Sequence, residues 1–361
     1  MSGPPGSLPV RPPITGVSAG ALRAALSGEP RYRIDQVNRA VYREAATSFE
    51  QILTLPAGLR ARLAELFKYE ALQAVRSETS ADGTRKTLFQ TVDGAPVETV
   101  QMPTERSGAT TICLSSQAGC GMGCTFCATG AMGLTRNLSS SEIVDQFLHF
   151  RRRSSADRTP DRAVFMGMGE PLANVRAVEV AVRALVDPAA VGLSPRRVTV
   201  STVGLPRGIH AMAGWNLPVS LAISLHAADD DLRTKLVPVA RRFRLDSLME
   251  ASRRFQQQAR RRVTYEYTLL DEVNDSTSQA ADLARLLRGQ RCHVNLIPFN
   301  AYPGARFHPT PRPGVRAFRD KLREHGLRAT VRRTRGRDIS GACGQLHAGA
   351  LRADKQPGSR D

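Results

Sequence analysis

Three cysteines have the type and spacing of metal ligands in this chain. Cys120, Cys124 and Cys127 form a C-x3-C-x2-C pattern and make up half of the six cysteines present. Three closely spaced thiolates can hold three irons of a [4Fe–4S] cube and leave the fourth iron open to a small molecule. An open iron indicates catalysis rather than electron storage.

A three-cysteine zinc site is the alternative interpretation of this pattern. Structural zinc usually takes four ligands in two separated pairs, and no second cysteine pair follows in the sequence. His149 or His226 could supply a fourth ligand, so zinc stays open, although we favour the cluster. The glycines at 119, 121 and 123 suggest a dinucleotide-binding loop, but cysteines interrupt that motif. We expect these glycines to let the backbone wrap a bulky cluster.

Further residues could carry chemistry if the fold brings them to the cysteines. Glu170, in a Gly-Met-Gly-Glu-Pro loop, could bind a ligand ammonium group, or the loop could be an ordinary turn. Cys343 lies among Gly, Ala and Gln and could act as a nucleophile, or it could be a small buried residue. Cys113 lies within an apolar run, where burial is expected. Glu98 is expected to be a solvated strand acid, and it would be a base only if it lies near the cluster.

Composition restricts the class of protein and of partner. The formal charge is +18, from 51 basic and 33 acidic residues. Five of the basic residues are Lys, so an Arg-favouring genome explains the choice of cation but not the excess of positive charge. The excess predicts a polyanionic partner, and we favour nucleic acid over membrane lipid because no basic amphipathic helix stands out. The absence of a long apolar run and of a secretory signal predicts a cytosolic protein.

The chain divides into four predicted segments: a disordered lead at 1–14, a helical and hairpin module at 15–104, a core at 105–347 and a disordered tail at 348–361. Apolar residues at three- and four-residue spacings predict helices at 21–26, 34–46 and 59–72. Two alternating runs around Asp93-Gly94 predict a β-hairpin.

The core alternates short apolar runs with helical patterns, which predicts an α/β fold with a parallel sheet. Strands are expected at 110–115, 163–167, 197–202, 219–225, 263–270 and 292–298, with helices such as 175–186 and 277–288 between them. Six such units predict a partial (β/α)6 barrel, with a seventh run at 328–334 closing one edge. Because chemistry gathers at the carboxyl ends of parallel strands, polar residues at five strand ends predict one common site.

These motifs together resemble the RlmN/Cfr family of radical SAM RNA methyltransferases. The resemblance runs from about residue 20 to 347. It rests on the pieces Val97–Val100, Ser115–Cys120, Cys127–Gly130, Asn137-Leu138, Met166–Leu172, Leu193–Val198, Ser224–His226, Asn295–Pro298, Thr334–Ile339 and Ala342–Leu346. Ala240 and Ala301 depart from the family pattern, as does the Pro206 position in the loop after Ser201.

The resemblance implies a role for each matching residue. Cys120, Cys124 and Cys127 would hold one [4Fe–4S] cluster, and S-adenosylmethionine would bind its open iron and be cleaved by one electron to a 5′-deoxyadenosyl radical. The cofactor would be lined by Gly169, Glu170, Ser201, Ser224, Leu225, His226 and Asn300. Cys343 would take a methyl group from one of two S-adenosylmethionine molecules, and the carbon would pass to adenine. Glu98 would accept the proton, and Cys113 would resolve the adduct through a transient disulfide with Cys343.

The resemblance also implies a substrate and an electron donor, and two alternative functions stay open. We expect methylation of C2 of adenine in structured RNA: adenine 2503 of 23S rRNA, with adenine 37 of certain tRNAs as a further target. An external electron donor would be required, and we expect a monomer without a membrane. The close rival is C8 methylation of the same rRNA adenine, with antibiotic resistance as the outcome. A remote rival is a non-enzymatic iron–sulfur protein that binds RNA or senses redox state.

Overall fold

The computed structural model describes residues 11–44, 46–104, 108–155 and 159–347. Most of the predicted lead, residues 1–10, and the whole predicted tail, 348–361, lie outside the described residues. The end of the predicted lead is structured, because Lys68 donates its backbone N–H to Pro12 O and Ile14 donates to Lys68 O. No helix in the described ranges is long and apolar enough to cross a membrane.

Three helices open the chain: α1 Ala19–Ala25, α2 Tyr32–Tyr42 and α3 Ala57–Leu66. Helix α1 begins where Ser18 Oγ accepts the Ala21 N–H, a typical N-cap. The helices bury an apolar cluster of their own, with Val37, Ala40 and Leu63 wholly buried. The predicted third helix, 59–72, was too long at its end: the helix ends at Leu66, and a strand begins at Gln73.

One ten-stranded sheet runs through the rest of the protein in the order β1-β2-β3-β4-β7-β8-β9-β10-β11-β12. Its strands are β1 Gln73–Thr79, β2 Arg85–Gln90, β3 Pro96–Pro103, β4 Thr110–Cys113, β7 Pro160–Phe165, β8 Val198–Thr202, β9 Ser220–Ser224, β10 Val263–Leu269, β11 Cys292–Pro298 and β12 Ala329–Val331. A separate two-stranded sheet joins β5 Gln117–Cys120 and β6 Gly133–Asn137. The predicted hairpin at Asp93-Gly94 joins β2 to β3.

The strands from β4 to β12 in the large sheet are parallel neighbours, which confirms the predicted α/β barrel fold. The helices that alternate with them are α4 Ala128–Ala131, α5 Ser140–Arg152, α6 Val175–Val186, α7 Pro206–Ala213, α8 Asp230–Leu236, α9 Leu245–Ala259, α10 Thr277–Leu286 and α11 Arg312–Glu324. Parallel strands are buried on both faces, so helices must pack against the sheet. The main apolar core lies between the sheet and these helices. The last strand, β12, lies at the sheet edge as expected.

The predicted hairpin is part of the same sheet as the barrel, because β3 pairs antiparallel with β4. The hairpin and β1 together therefore add three antiparallel strands to the barrel wall. A domain boundary near residue 104 stays a prediction.

A small hairpin that the sequence pattern did not suggest supports the cysteine loop. Strands β5 and β6 pair antiparallel on either side of that loop, with Cys120 opposite Gly133. Gly119 has φ +73°, and a Cβ there would lie 2.0 Å from Gly133 O. Only glycine fits at this position, since it alone combines a left-handed backbone with such close approach.

Candidate active site

A cavity of about 150 Å³ opens at the carboxyl ends of the barrel strands. Most of the predicted site residues line this cavity. They are Cys120, Cys124, Cys127, Gly169, Glu170, Ser201, Ser224, His226, Asn300 and Cys343. The predicted site residues that do not line this cavity are Leu225, Cys113 and Glu98.

The three cysteines of the motif interact electrostatically with one another and form no disulfide. Burial raises the pKa of the Cys120 thiol to about 12 and raises the pKa values of Cys124 and Cys127. Such thiols give up their protons only to a strong positive charge such as a metal centre.

The cysteine arrangement suits a cluster better than a single ion. Among the described residues, no three His, Cys, Asp or Glu side chains are placed to hold one metal ion. A [4Fe–4S] cube takes one thiolate on each of three different irons and does not need three ligands around one ion. The residues present therefore fit the cluster.

The Gly-Met-Gly-Glu loop after β7 is fixed by backbone contacts. Gly169 has φ +95°, and a Cβ there would lie 2.5 Å from Gln117 Cβ. Glu170 is buried, and its carboxylate accepts the N–H groups of Leu172 at 2.9 Å and Val203 at 2.8 Å. Burial raises the pKa of Glu170 to about 7. A carboxylate has about four acceptor positions, so Glu170 retains capacity for a ligand donor in the cavity.

His226 ends the fourth barrel strand in a strained backbone conformation, with φ +61°. Its Nδ1 accepts the Thr268 N–H at 3.0 Å, so its remaining proton belongs on Nε2. Burial lowers the pKa of His226 to about 3, which keeps the ring neutral. Leu225 does not share this role: its side chain is wholly buried in the main apolar core, and its N–H bonds Glu266 O.

Asn300 links the cavity to the segment that carries Cys343. Its Nδ2 donates to Cys343 O at 3.2 Å, while its Oδ1 is buried with no partner among the described groups. An unpaired buried acceptor is costly, and a ligand donor in the cavity would satisfy it. This atom is the clearest sign that the cavity is built for a polar ligand.

The Cys343 segment is held by hydrogen bonds to helix α4 and to the loop after β11. Ala128 donates its N–H to Gly344 O at 2.8 Å, Thr129 Oγ1 donates to Leu346 O at 2.6 Å, and Gln345 Nε2 donates to Ala301 O at 2.7 Å. These bonds hold a thiol that is remote in sequence directly beside the cysteine loop.

Cys113 and Cys343 line a second, adjoining cavity together with Arg332. Burial raises the pKa of Cys113 to about 12, and the negative charge that Cys343 would carry raises it further. The charge of ionised Cys343 likewise raises the pKa of the Arg332 guanidinium. The structure therefore brings the two distant thiols and one cation to the same place.

Glu98 lies beside this region but lines neither cavity. Its Oε1 lies 3.1 Å from Lys86 Nζ, and its Oε2 accepts the His347 N–H at 2.8 Å. The glutamate is only 4 % exposed, so the prediction of a solvated strand acid is wrong.

Sequence reasoning missed Arg332 and Glu266, which line the main cavity. Glu266 Oε2 accepts from Asn295 Nδ2 at 2.7 Å. The sequence did offer a signal for Glu266, because it is the one charged residue in the run Val263–Leu269. Arg332 carried no such signal in so basic a chain.

A third cavity, of about 430 Å³, extends from Arg332 toward the amino ends of the strands. Its cationic lining consists of Arg162, Arg196, Arg197, Arg332, Arg333 and Arg335, against the single acid Glu266. A concave surface of this charge attracts phosphate groups.

The sequence and the fold were compared with known proteins. Residues 114–284 match the model of the Radical SAM superfamily. A Thermus thermophilus protein named probable dual-specificity RNA methyltransferase RlmN is 46% identical over 90% of this chain and 91% of its own length. A Halorhodospira halophila protein named dual-specificity RNA methyltransferase RlmN is 45% identical over 88% of each. A crystal structure of a radical SAM methyltransferase from Sphaerobacter thermophilus superposes with a TM-score of 0.90 at 46% identity, covering 93% of this chain and 99% of that one.

Proposed function

The chain belongs to the RlmN family of radical SAM RNA methyltransferases, and we propose that it methylates C2 of an adenine in RNA. Its cofactors are a [4Fe–4S] cluster and S-adenosylmethionine. The observation that carries the proposal is the placement of Cys113 and Cys343 beside one cavity that adjoins the cysteine loop. Two thiols outside the cluster motif are what a methyl relay through cysteine requires.

The cofactors fit the residues of the main cavity. Cys120, Cys124 and Cys127 would hold the cluster, and the carboxylate of Glu170 would accept from the amino group of S-adenosylmethionine. Asn300 Oδ1 and the Nε2–H of His226 offer one acceptor and one donor to the rest of that molecule. When bound, the two groups together supply hydrogen-atom abstraction by a carbon radical, which activates a carbon that polar chemistry cannot.

Cys343 would accept the first methyl group on its sulfur. It borders both the main cavity and the adjoining cavity that it shares with Cys113 and Arg332, which we call the relay cavity. After the methyl carbon has joined adenine, Cys113 would attack the Cys343 sulfur. The new S–S bond would replace the S–C bond, whose electron pair would stay on the carbon. That carbon would take up a proton to become the methyl group, and the methylated RNA would be released. Burial raises the pKa of Cys113, and the charge of Arg332 offsets part of that rise.

Glu98 would accept the proton lost from the adenine carbon, but it needs a rearrangement first. Its Oε2 is occupied by the His347 N–H and its Oε1 by Lys86. Movement of the segment 342–347 would free Oε2 while Lys86 still held Oε1. We therefore propose that movement of the Cys343 segment also exposes the base.

The target RNA would be held by charge and shape. The arginine-lined cavity adjoins the relay cavity through Arg332, so it can take phosphates next to the reacting base. The adenine must leave its stack to reach the site, as bases do in other nucleic acid-modifying enzymes. The name of the relatives, dual-specificity RNA methyltransferase, supports two kinds of RNA substrate. We propose adenine 2503 of 23S rRNA and adenine 37 of tRNAs, the targets that the family resemblance implies.

We also propose that the protein acts as a monomer in the cytoplasm with an external electron donor. The residues that we propose for the cluster and S-adenosylmethionine all belong to this chain, so the site does not call for a second copy. RNA substrates of this class and protein electron donors are found in that compartment.

Replacing Cys343 by Ala tests the proposal. The variant should retain its iron and bind RNA with unchanged affinity, yet form no methyladenosine, because the relay loses its first acceptor. Cys292→Ala is the matched control, since Cys292 lines none of the three cavities. Methylation by the Cys343 variant at the wild-type rate would contradict the relay. A non-enzymatic redox-sensing role predicts no methyladenosine from the wild type either.

A further inference from the structure

Arg233, on helix α8, is a buried cation that has no anionic partner among the described residues. Its side chain is wholly buried, and no described carboxylate lies within ion-pair distance of its guanidinium. Asp230 on the same helix acts on it electrostatically but is itself paired with Arg244 at 3.1 Å. Burial lowers the pKa of Arg233 to about 10, so the side chain stays charged at neutral pH. A buried charge is costly unless an anion compensates it, so an anion is expected close to this arginine.

The guanidinium of Arg233 donates to three backbone carbonyl groups instead. Its Nε donates to Leu225 O at 3.2 Å, its Nη1 to Phe243 O at 3.4 Å and its Nη2 to Val203 O at 2.6 Å. Val203 directly follows strand β8 and Leu225 directly follows β9, so these bonds fix the cation at the carboxyl ends of two barrel strands. Neutral carbonyl groups satisfy its donors but leave its charge uncompensated.

The uncompensated charge lies next to the cysteine loop. Thr125 in that loop donates its N–H to Leu236 O at 3.0 Å, which ties the loop to the last residue of α8. Cys124 packs in one apolar cluster with Leu236 and with Val203, the residue that accepts from the guanidinium. Arg233 is also the cation that acts electrostatically on Cys124. The anion that compensates Arg233 is therefore expected at the cysteines.

We propose that Arg233 is the countercharge of the cluster, and that its charge makes the cluster easier to reduce. The inference rests on the proposed cluster site. Three thiolates give the loaded site a net negative charge, and one electron from the external donor adds to it, while no bond forms or breaks. A cation beside a thiolate stabilises the reduced state more than the oxidised state, and it does so strongly in a buried setting.

Arg233 lines neither the main cavity, the relay cavity nor the arginine-lined cavity. It therefore does not touch S-adenosylmethionine or RNA, and it acts through its charge on the cysteine loop. It is a positioning residue for the uptake of the electron rather than a catalytic residue. Its effect is expected in the midpoint potential of the cluster, which a merely structural role of the side chain would not make dependent on charge.

Arg233→Lys and Arg233→Gln separate the charge of this side chain from its shape. Lysine keeps the positive charge but not the fork that reaches three carbonyl groups, and glutamine keeps an amide donor without the charge. Arg254→Gln is the control, because it removes the same charge from an exposed position on α9. Iron per chain is measured after reconstitution, and the midpoint potential of the cluster is measured by titration with dithionite in the absence of RNA.

We expect Arg233→Gln to lower the equilibrium constant for reduction at least tenfold, which is a fall of about 59 mV in the midpoint potential. Arg233→Lys should keep most of the wild-type potential, and Arg254→Gln should keep all of it. Equal shifts in Arg233→Lys and Arg233→Gln would overturn the proposal, as would an unchanged potential in Arg233→Gln.

Iron content decides the outcome if a variant does not load the cluster. Loss of iron in Arg233→Gln with normal iron in Arg233→Lys would support the countercharge, because the two variants differ in charge. Loss of iron in both variants would overturn it, since the positive charge would then not be what the site requires. A wild-type protein that binds no cluster would instead count against the proposed function.

Discussion

Two buried glutamates at the site differ in what holds them. Glu170 is held by backbone N–H groups, so its carboxylate is fixed without any cation. Glu98 instead faces a lysine, and both side chains are about nine-tenths buried. A buried ion pair is a weak source of stability while both partners are present, but removing one partner leaves an uncompensated charge.

We predict that Lys86→Met destabilises the protein by about 3 kcal/mol, because Glu98 then loses its cation in a buried setting. The double variant Lys86→Met, Glu98→Gln should recover part of that loss, since no buried charge is left unpaired. Glu78, which lies 3.4 Å from Lys86, keeps its ion pair with Arg76. Urea unfolding of the three proteins measures the difference. If the double variant is less stable than Lys86→Met alone, the pair does not behave as an isolated buried ion pair.

At the scale of elements, the hairpin of β5 and β6 decides whether the cysteine loop is held in place. Its two glycines at 119 and 133 both have left-handed backbones, with φ +73° and +71°. They differ in surroundings: a Cβ at 119 would lie 2.0 Å from Gly133 O, whereas one at 133 meets nothing within 4 Å. Substituting each glycine in turn therefore separates the effect of a steric clash from the effect of backbone strain.

Gly119→Ala should lower the iron bound per chain at least threefold, because the clash forces the two strands apart beside Cys120. Gly133→Ala should cost only the left-handed strain of about 1–2 kcal/mol and keep its iron. Iron and sulfide analysis after reconstitution measures both variants. Equal iron content in the two variants would show that the close approach at Gly119 does not hold the loop.

Helix α5 packs on the hairpin wall through His149, whose ring meets Phe89 at 4.8 Å and Phe150 at 5.2 Å. Burial, together with three neighbouring arginines, lowers the pKa of His149 to about 3. The unfolded chain takes up a proton below about pH 6.5 while the folded chain does not. Stability from this residue is therefore present above pH 6.5 and is lost as the pH falls toward 3.

From pH 7.5 to pH 5 we expect this histidine to remove about 2 kcal/mol of stability. His149→Phe keeps an aromatic ring there without a titrating group, so its loss of stability over the same range should be smaller by about that amount. Urea unfolding at the two pH values measures each loss. Identical losses in the variant and the wild type would mean that His149 titrates normally in the fold.

For the whole molecule, the barrel was predictable because its strands and helices carry their signals locally. Strand β11 and helix α6 have the bounds that the apolar pattern predicted, Cys292–Pro298 and Val175–Val186. Short elements without that pattern were missed: β5 and β6 are four and five residues long, and they depend on a glycine contact between residues 14 positions apart.

The strand-end residues of the site were predictable for the same reason, since a parallel barrel brings all strand ends together. The contacts that set their chemistry were not, because their partners are remote in sequence. Glu98 meets the His347 N–H 249 positions away, and Arg332 joins the site from the edge strand. No local pattern predicts which cation faces which thiol or carboxylate.

Analysis of the modified nucleoside tests the proposed methylation of adenine C2 most directly. The reconstituted enzyme would be incubated with S-adenosylmethionine, a reductant and either a 23S rRNA fragment or tRNA. The digested RNA would then be separated against 2- and 8-methyladenosine standards. We predict 2-methyladenosine from the wild type and none from Cys343→Ala. The formation of 8-methyladenosine, or of no methyladenosine with an intact cluster, would contradict the assignment.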